Sequence, residues 1–281
     1  MRRTTLLAEA VLVGVVLLAA ACGGDEGQDG GSEVKSEVLS PEGTQGMLVF
    51  GPDGEGRWPV VLAMHGIDGE AEDMAELATR LAREGVVVFA PTYRTDVTTE
   101  EGREQAGMDL ECAYRFARSV AAEHGGDLDR PVTFVGWSLG ATGALALGLS
   151  EDLDPSGDLG CFSPAPRPDV VVAISGCHYE WEGRPSDLID VSELGNDAAD
   201  VVLVAGEEDA TCAAWQTEDM AAELRSAGYD LDLVLLEGAD HPAPVFHDVV
   251  DGEWVVDPND PAGERTVELI LDAIAAAQAA P

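Results

Sequence analysis

The stretch VTFVGWSLGATGALALGLS, residues 132–150, decides the fold. Val132 to Val135 is a short β-branched and aromatic run of the kind that makes a buried strand. Gly136 to Gly140 is a turn, and the small-residue run from Leu139 to Leu149 reads as a helix. A sharp strand-to-helix turn exposes the side chain at its centre, so Ser138 stands where a nucleophile would be presented. The flanking glycines let such a turn close without side-chain clashes, and the helix N-terminus adds a partial positive field.

Working outward, apolar runs bounded by Gly, Pro or Asp recur along the chain and alternate with stretches of helical periodicity. The predicted strands are Met47 to Phe50, Val60 to Met64, Val86 to Ala90, Val132 to Val135, Val170 to Ser175, Val201 to Ala205 and Leu231 to Leu236. Helices are predicted over Glu70 to Gly85, Glu100 to His124, Leu139 to Leu149, Ala214 to Gly228 and Glu264 to Ala277. Near-continuous Val/Leu/Ala strands alternating with helices imply a mostly parallel, twisted sheet covered on both faces. In such sheets ligands bind outside the carboxyl ends of the strands, which is where site residues are to be sought. No internal repeat or second apolar core is present, so residues 43–281 are expected to form a single α/β domain.

The N-terminus has a different character. Arg2 and Arg3 precede an apolar run from Val11 to Ala21 that is too short for a stable membrane span, so residues 1–21 read as an export signal. The stretch Leu18-Ala-Ala-Ala-Cys22 resembles a bacterial lipobox, which implies a diacylglycerol anchor on Cys22 and an extracytoplasmic, membrane-tethered protein, with plain secretion as the alternative. The Gly-, Asp-, Glu- and Ser-rich residues that follow, within 22–42, read as a flexible tether.

Fifty-four acidic residues against 15 basic ones give a net charge of −39, which repels nucleic acid and anionic head groups and excludes them as partners. With Cys22 lipidated, four cysteines remain for an oxidising compartment, and two disulfides are expected. Of the three possible pairings, Cys177 with Cys212 is favoured, because each follows the end of a predicted strand and those strands should be neighbours. Cys112 then pairs with Cys161. No CxxC or HxxH spacing suggests a metal site.

A serine nucleophile needs a base to take its proton and a third group to orient that base. GWSLG, placed between strand and helix, fits the G-x-S-x-G elbow, and here the chain resembles the α/β-hydrolase superfamily. The segment LECAYRFARSVAAEHGGDLDRPVTFVGWSLGAT looks like bacterial carboxylesterases and dienelactone-hydrolase-like proteins, with serine in place of the cysteine of true dienelactone hydrolases. The family's order of nucleophile, acid and histidine implies Ser138, then Asp209 in the loop GEEDATC after the strand Val201 to Ala205, then His241 in EGADHPAP after Leu231 to Leu236. Glu207 and Glu208 are the other acids in reach, and His247 is the second choice of base. Asp240 is read as a solvated loop carboxylate and His124 as a helix C-terminal residue.

The resemblance further implies an oxyanion hole made by the backbone N–H groups of Leu139, after the nucleophile, and Ile67, after the His65-Gly66 dipeptide. His65, Trp137, His178 and Trp181 are placed around the substrate. The predicted strands ending at Ser175 and starting at Val201 stand only about 25 residues apart, so little or no cap domain is expected. These features imply a cofactor-free serine esterase acting on neutral, short-acyl carboxylic esters through an acyl-enzyme. A peptidase or acyltransferase using the same triad, and a non-catalytic binding scaffold on the same fold, are the rival readings.

Overall fold

The structure is a computed structural model that describes residues 34–40, 45–150, 161, 165–181, 184–185, 189–195, 199–251 and 253–280. The signal, lipobox and Cys22 readings lie outside these residues. Twelve strands occur among them: β1 (Val34–Leu39), β2 (Met47–Pro52), β3 (Val60–Met64), β4 (Val87–Pro91), β5 (Val132–Trp137), β6 (Val170–Ile174), β7 (Glu180–Trp181), β8 (Arg184–Pro185), β9 (Asp200–Gly206), β10 (Leu231–Leu236), β11 (His247–Val250) and β12 (Glu253–Val256). The helices are α1 (Ala75–Arg83), α2 (Glu100–Val120), α3 (Leu139–Leu149), α4 (Ala214–Ser226) and α5 (Pro261–Ala279).

Eight strands make one sheet in the order β1-β2-β4-β3-β5-β6-β9-β10. From β4 to β10 every neighbouring pair is parallel, while β2 runs antiparallel to β4 and β1 antiparallel to β2. Side chains alternate strictly across this sheet. Val60, Leu62 and Met64 of β3 join the core shared with α2, α3 and α4, whereas Val61 and Ala63 join the core shared with α1 and α5. Burial on both faces is why these strands read as unbroken apolar runs.

One difference from the sequence reading lies at the sheet's edge. Val34–Leu39, inside the stretch read as tether, is strand β1, paired with β2 along its whole length. Its middle residues Lys35, Ser36, Glu37 and Val38 are exposed, so no apolar pattern marks it, and charges on an edge strand discourage pairing with other chains. Between β6 and β9 the described residues hold only the two-residue strands β7 and β8 and one short 3-10 turn at Val191–Glu193, in keeping with little or no cap. No helix among the described residues is long and apolar enough to cross a membrane.

Candidate active site

The elbow is dictated by close backbone approaches. Ser138 has φ 57° and ψ −120°, a conformation that L-residues rarely adopt and that persists only where surrounding packing enforces it. A Cβ on Gly136 would lie 1.9 Å from the carbonyl oxygen of Gly140, and one on Gly140 would lie 2.3 Å from that of Met64. Both positions of the motif therefore exclude any side chain. The Ser138 N–H donates to the carbonyl of Ile174, anchoring the turn to β6 (2.9 Å), and Ser138 itself sits at the N-terminus of α3.

The predicted acid and base meet at the carboxyl ends of β9 and β10. His241 Nδ1 lies 2.8 Å from Asp209 Oδ2, and both residues are 4% exposed. The other carboxylate oxygen, Oδ1, accepts the backbone N–H groups of Thr211 (2.9 Å) and Cys212 (2.7 Å). Glu207 and Glu208 point outward and are exposed, which leaves Asp209 as the carboxylate with a buried partner. His247 is occupied instead by the carbonyl of Val245 (3.0 Å). Burial raises the pKa of Asp240, which is only partly exposed rather than fully solvated.

Trp137, next to the serine, connects the two ends of the site. Its indole N–H donates to the carbonyl of His241 (3.0 Å), and the two rings are 5.2 Å apart. Trp137 is fully buried, so it holds the histidine loop against β5 and does not form an open wall for substrate, as the sequence reading had placed it.

His65 also differs from its expected place beside the substrate. It is fully buried, with Nδ1 on the carbonyl of Gly66 (2.7 Å) and its ring stacked on Tyr93 (4.2 Å between centroids). Burial lowers its pKa, with the Gly66 carbonyl opposing part of that shift. Tyr93 donates its hydroxyl to the His65 carbonyl, so the two residues clamp the loop that leads to Ile67. A Cβ on Gly66 would meet the Ser138 Cβ at 3.1 Å, which places this loop directly against the serine. Among the described residues, the backbone N–H groups of Ile67 and Leu139 have no protein acceptor. Tyr93 was missed in the sequence, although its position in PTYR, at the carboxyl end of β4, was the available signal.

His178 is 1% exposed, and burial pushes its pKa down to about 4, so it is a neutral packed ring rather than a group lining an open cleft. Trp181 lies in β7, paired with Arg184 of β8, and its side chain is outside the described residues. Both expected disulfides are present, Cys112–Cys161 and Cys177–Cys212. Among the described residues no group of three or more His, Cys, Asp or Glu side chains is placed to hold a metal ion.

The mostly parallel sheet, with helices on both faces and a strained strand-to-helix turn after β5, is the α/β-hydrolase fold. Residues 46–147, from β2 through the elbow into α3, match the model of the dienelactone hydrolase family. Among solved structures, the chain is similar to esterase B from Lactobacillus rhamnosis at 16% identity, covering 87% of this chain and 86% of that one with a TM-score of 0.68. It is similar to a putative dienelactone hydrolase from Klebsiella pneumoniae at 20% identity, covering 86% and 99% with a TM-score of 0.61. It is likewise similar to Thermogutta terrifontis esterase 2, phosphoramylated by tabun in that structure, at 18% identity, covering 88% and 97% with a TM-score of 0.65. None of the curated proteins matches the sequence.

Proposed function

We propose that the protein is a serine esterase that hydrolyses neutral carboxylic esters through an acyl-enzyme. The observation that carries this reading is the buried His241–Asp209 pair at 2.8 Å, tied through Trp137 to the position before a serine held at φ 57° on a glycine-forced turn. The carboxylate fixes the proton on His241 Nδ1 and leaves Nε2 free to accept the Ser138 proton. Ser138 Oγ then adds to the ester carbonyl, and the oxyanion is received by the N–H groups of Ile67 and Leu139. Collapse breaks the acyl–alkoxy bond, and His241 returns its proton to the departing alcohol. Water, deprotonated by His241, cleaves the acyl-enzyme by the reverse sequence and frees the acid. All four proton transfers, from Ser138 to His241, from His241 to the alcohol, from water to His241 and from His241 back to Ser138, are thus handled by side chains of this chain, with no cofactor required.

The experiment is intact-mass analysis of the folded protein after a fluorophosphonate probe, with Ser138→Ala alongside. A single adduct on the wild type that is absent from the variant is expected. No adduct on folded wild type would overturn the mechanism and favour a binding scaffold. We further propose that the chain is exported and anchored by a lipid on Cys22; the two disulfides, which persist in oxidising compartments, support export. Mass analysis of the N-terminal peptide from the membrane fraction should find diacylglyceryl on Cys22, and an unmodified N-terminus in the medium would overturn the anchor.

A further inference from the structure

A groove of about 310 Å³ runs between α2 and α3, away from the elbow. One end is formed by Leu139 and Tyr93, the residue after the proposed nucleophile and the residue that clamps the oxyanion loop. Its walls are aliphatic or small, with Ala106, Gly107 and Leu110 from α2 facing Gly143 and Ala146 from α3. We propose that this groove is the acyl-chain subsite, and that the preferred substrates are esters of medium-length linear aliphatic acids rather than the short acyl esters implied by the family resemblance. The proposal rests on the esterase reading above.

Several observations support it. The groove starts where the acyl carbonyl must lie if Leu139 donates to the oxyanion. At roughly 30 Å³ per water-sized group, its volume accommodates about eight to ten chain atoms. A Cβ on Gly107 would meet nothing within 4 Å, so packing does not require this glycine, although glycine inside a helix is unfavourable; its missing side chain leaves the groove open. The α2 wall is braced, because Arg94, in the loop after β4, forks onto both oxygens of Asp109 (2.7 and 2.6 Å). Arg103 also lines the groove, and its guanidinium donates to the carbonyl of Val97 (3.3 Å).

The test is kcat/KM for p-nitrophenyl esters from acetate to decanoate, using the full chain, Gly107→Leu and Ala146→Leu. Wild type should gain about threefold to fourfold per methylene up to about eight carbons, the most that burial of each CH₂ can supply. Each variant narrows the groove from an opposite wall and should lower the octanoate-to-acetate ratio at least tenfold. A wild-type profile that is flat or falls beyond butyrate, or a ratio that neither variant changes, would overturn the proposal. Titration of Ser138→Ala with p-nitrophenyl octanoate separates the two readings. Binding that Gly107→Leu weakens, with no turnover of any ester by wild type, would uphold the groove and sink the esterase mechanism. Turnover without chain-length preference or octanoate binding would do the reverse, and neither binding nor turnover would overturn both.

Discussion

The two halves of the site are held in place by different physics. At the serine end, backbone atoms leave no room for a Cβ at Gly136 or Gly140, and the turn is rigid because alternatives clash. At the acid–histidine end one such approach recurs, since a Cβ on Gly206 would lie 2.3 Å from the carbonyl oxygen of Ala239, but the functional side chains themselves are placed by bonds. Asp209 and His241 lie 32 residues apart and are held by hydrogen bonds from Thr211, Cys212 and Trp137, and by the Cys177–Cys212 disulfide that ties the acid loop to the end of β6. The serine turn is therefore marked by five consecutive residues, although Gly140 also needs the Met64 backbone against it, while the acid and histidine must be brought together from positions 32 residues apart.

The largest expected effect tests this contrast at its centre. Ser138→Ala should lower ester hydrolysis on the order of 10⁴- to 10⁶-fold while leaving the melting temperature close to wild type. Asp209→Asn should lose about 10⁴-fold, because the amide no longer fixes the Nδ1–H tautomer of His241; a loss below tenfold would mean that another carboxylate orients the base. Gly140→Ala, by contrast, should fail at folding. Its Cβ would lie 2.3 Å from a backbone oxygen with no flexible atom to yield, so a destabilisation above about 4 kcal/mol in urea unfolding is expected. A well-folded Gly140→Ala protein would show that the turn is softer than its geometry implies.

The disulfides sharpen the comparison. They close loops of similar length, with sequence separations of 49 and 35, so chain entropy alone gives each about 4 kcal/mol of stability. Cys112→Ala with Cys161→Ala should lower stability and leave kcat per folded molecule unchanged. Cys177→Ala with Cys212→Ala should lower stability comparably and also reduce kcat about tenfold, since the backbone N–H of Cys212 holds Asp209 Oδ1. Equal kcat in the two double variants would show that the acid loop needs no covalent brace.

The smallest effect concerns pH. His178 is held neutral by burial, with its pKa lowered to about 4 from an ordinary value of 6.5. Below pH 6.5 the unfolded chain binds a proton at this residue that the folded chain does not, so its contribution to stability falls as the pH drops towards 4. Replacing it by leucine should remove that slope. The difference in urea midpoint between wild type and His178→Leu should therefore shift in favour of the variant between pH 7 and pH 4.5, and a constant difference would show that His178 takes up its proton equally in both states.

Legibility followed the same division. Every buried strand of the parallel sheet could be recognised in the sequence because burial on both faces writes an unbroken apolar run. Strand β1 could not, since its exposed residues impose no apolar period, whereas the hairpin β11–β12 carries a turn signal, Asp251-Gly252 between two valine-rich runs, that the predicted strands do not include. Asp209 and His241 were found by position after strands and by family order, but Glu207 and Glu208 were set aside by burial, which no residue name reveals.

Trp137, His65 and Tyr93 show the limit most clearly. In sequence, Trp137 and His65 lie beside the reactive groups and look like substrate contacts; in the fold they are buried supports, packed against the histidine loop and the oxyanion loop. The sequence by itself determined the sheet and the strand-turn-helix that carries Ser138, because apolar runs and the glycine pattern of the turn are written over a few residues. Only the tertiary structure decided which carboxylate meets His241, which side chains brace the site, and where the apolar groove beside Leu139 lies, because those depend on contacts between segments far apart along the chain.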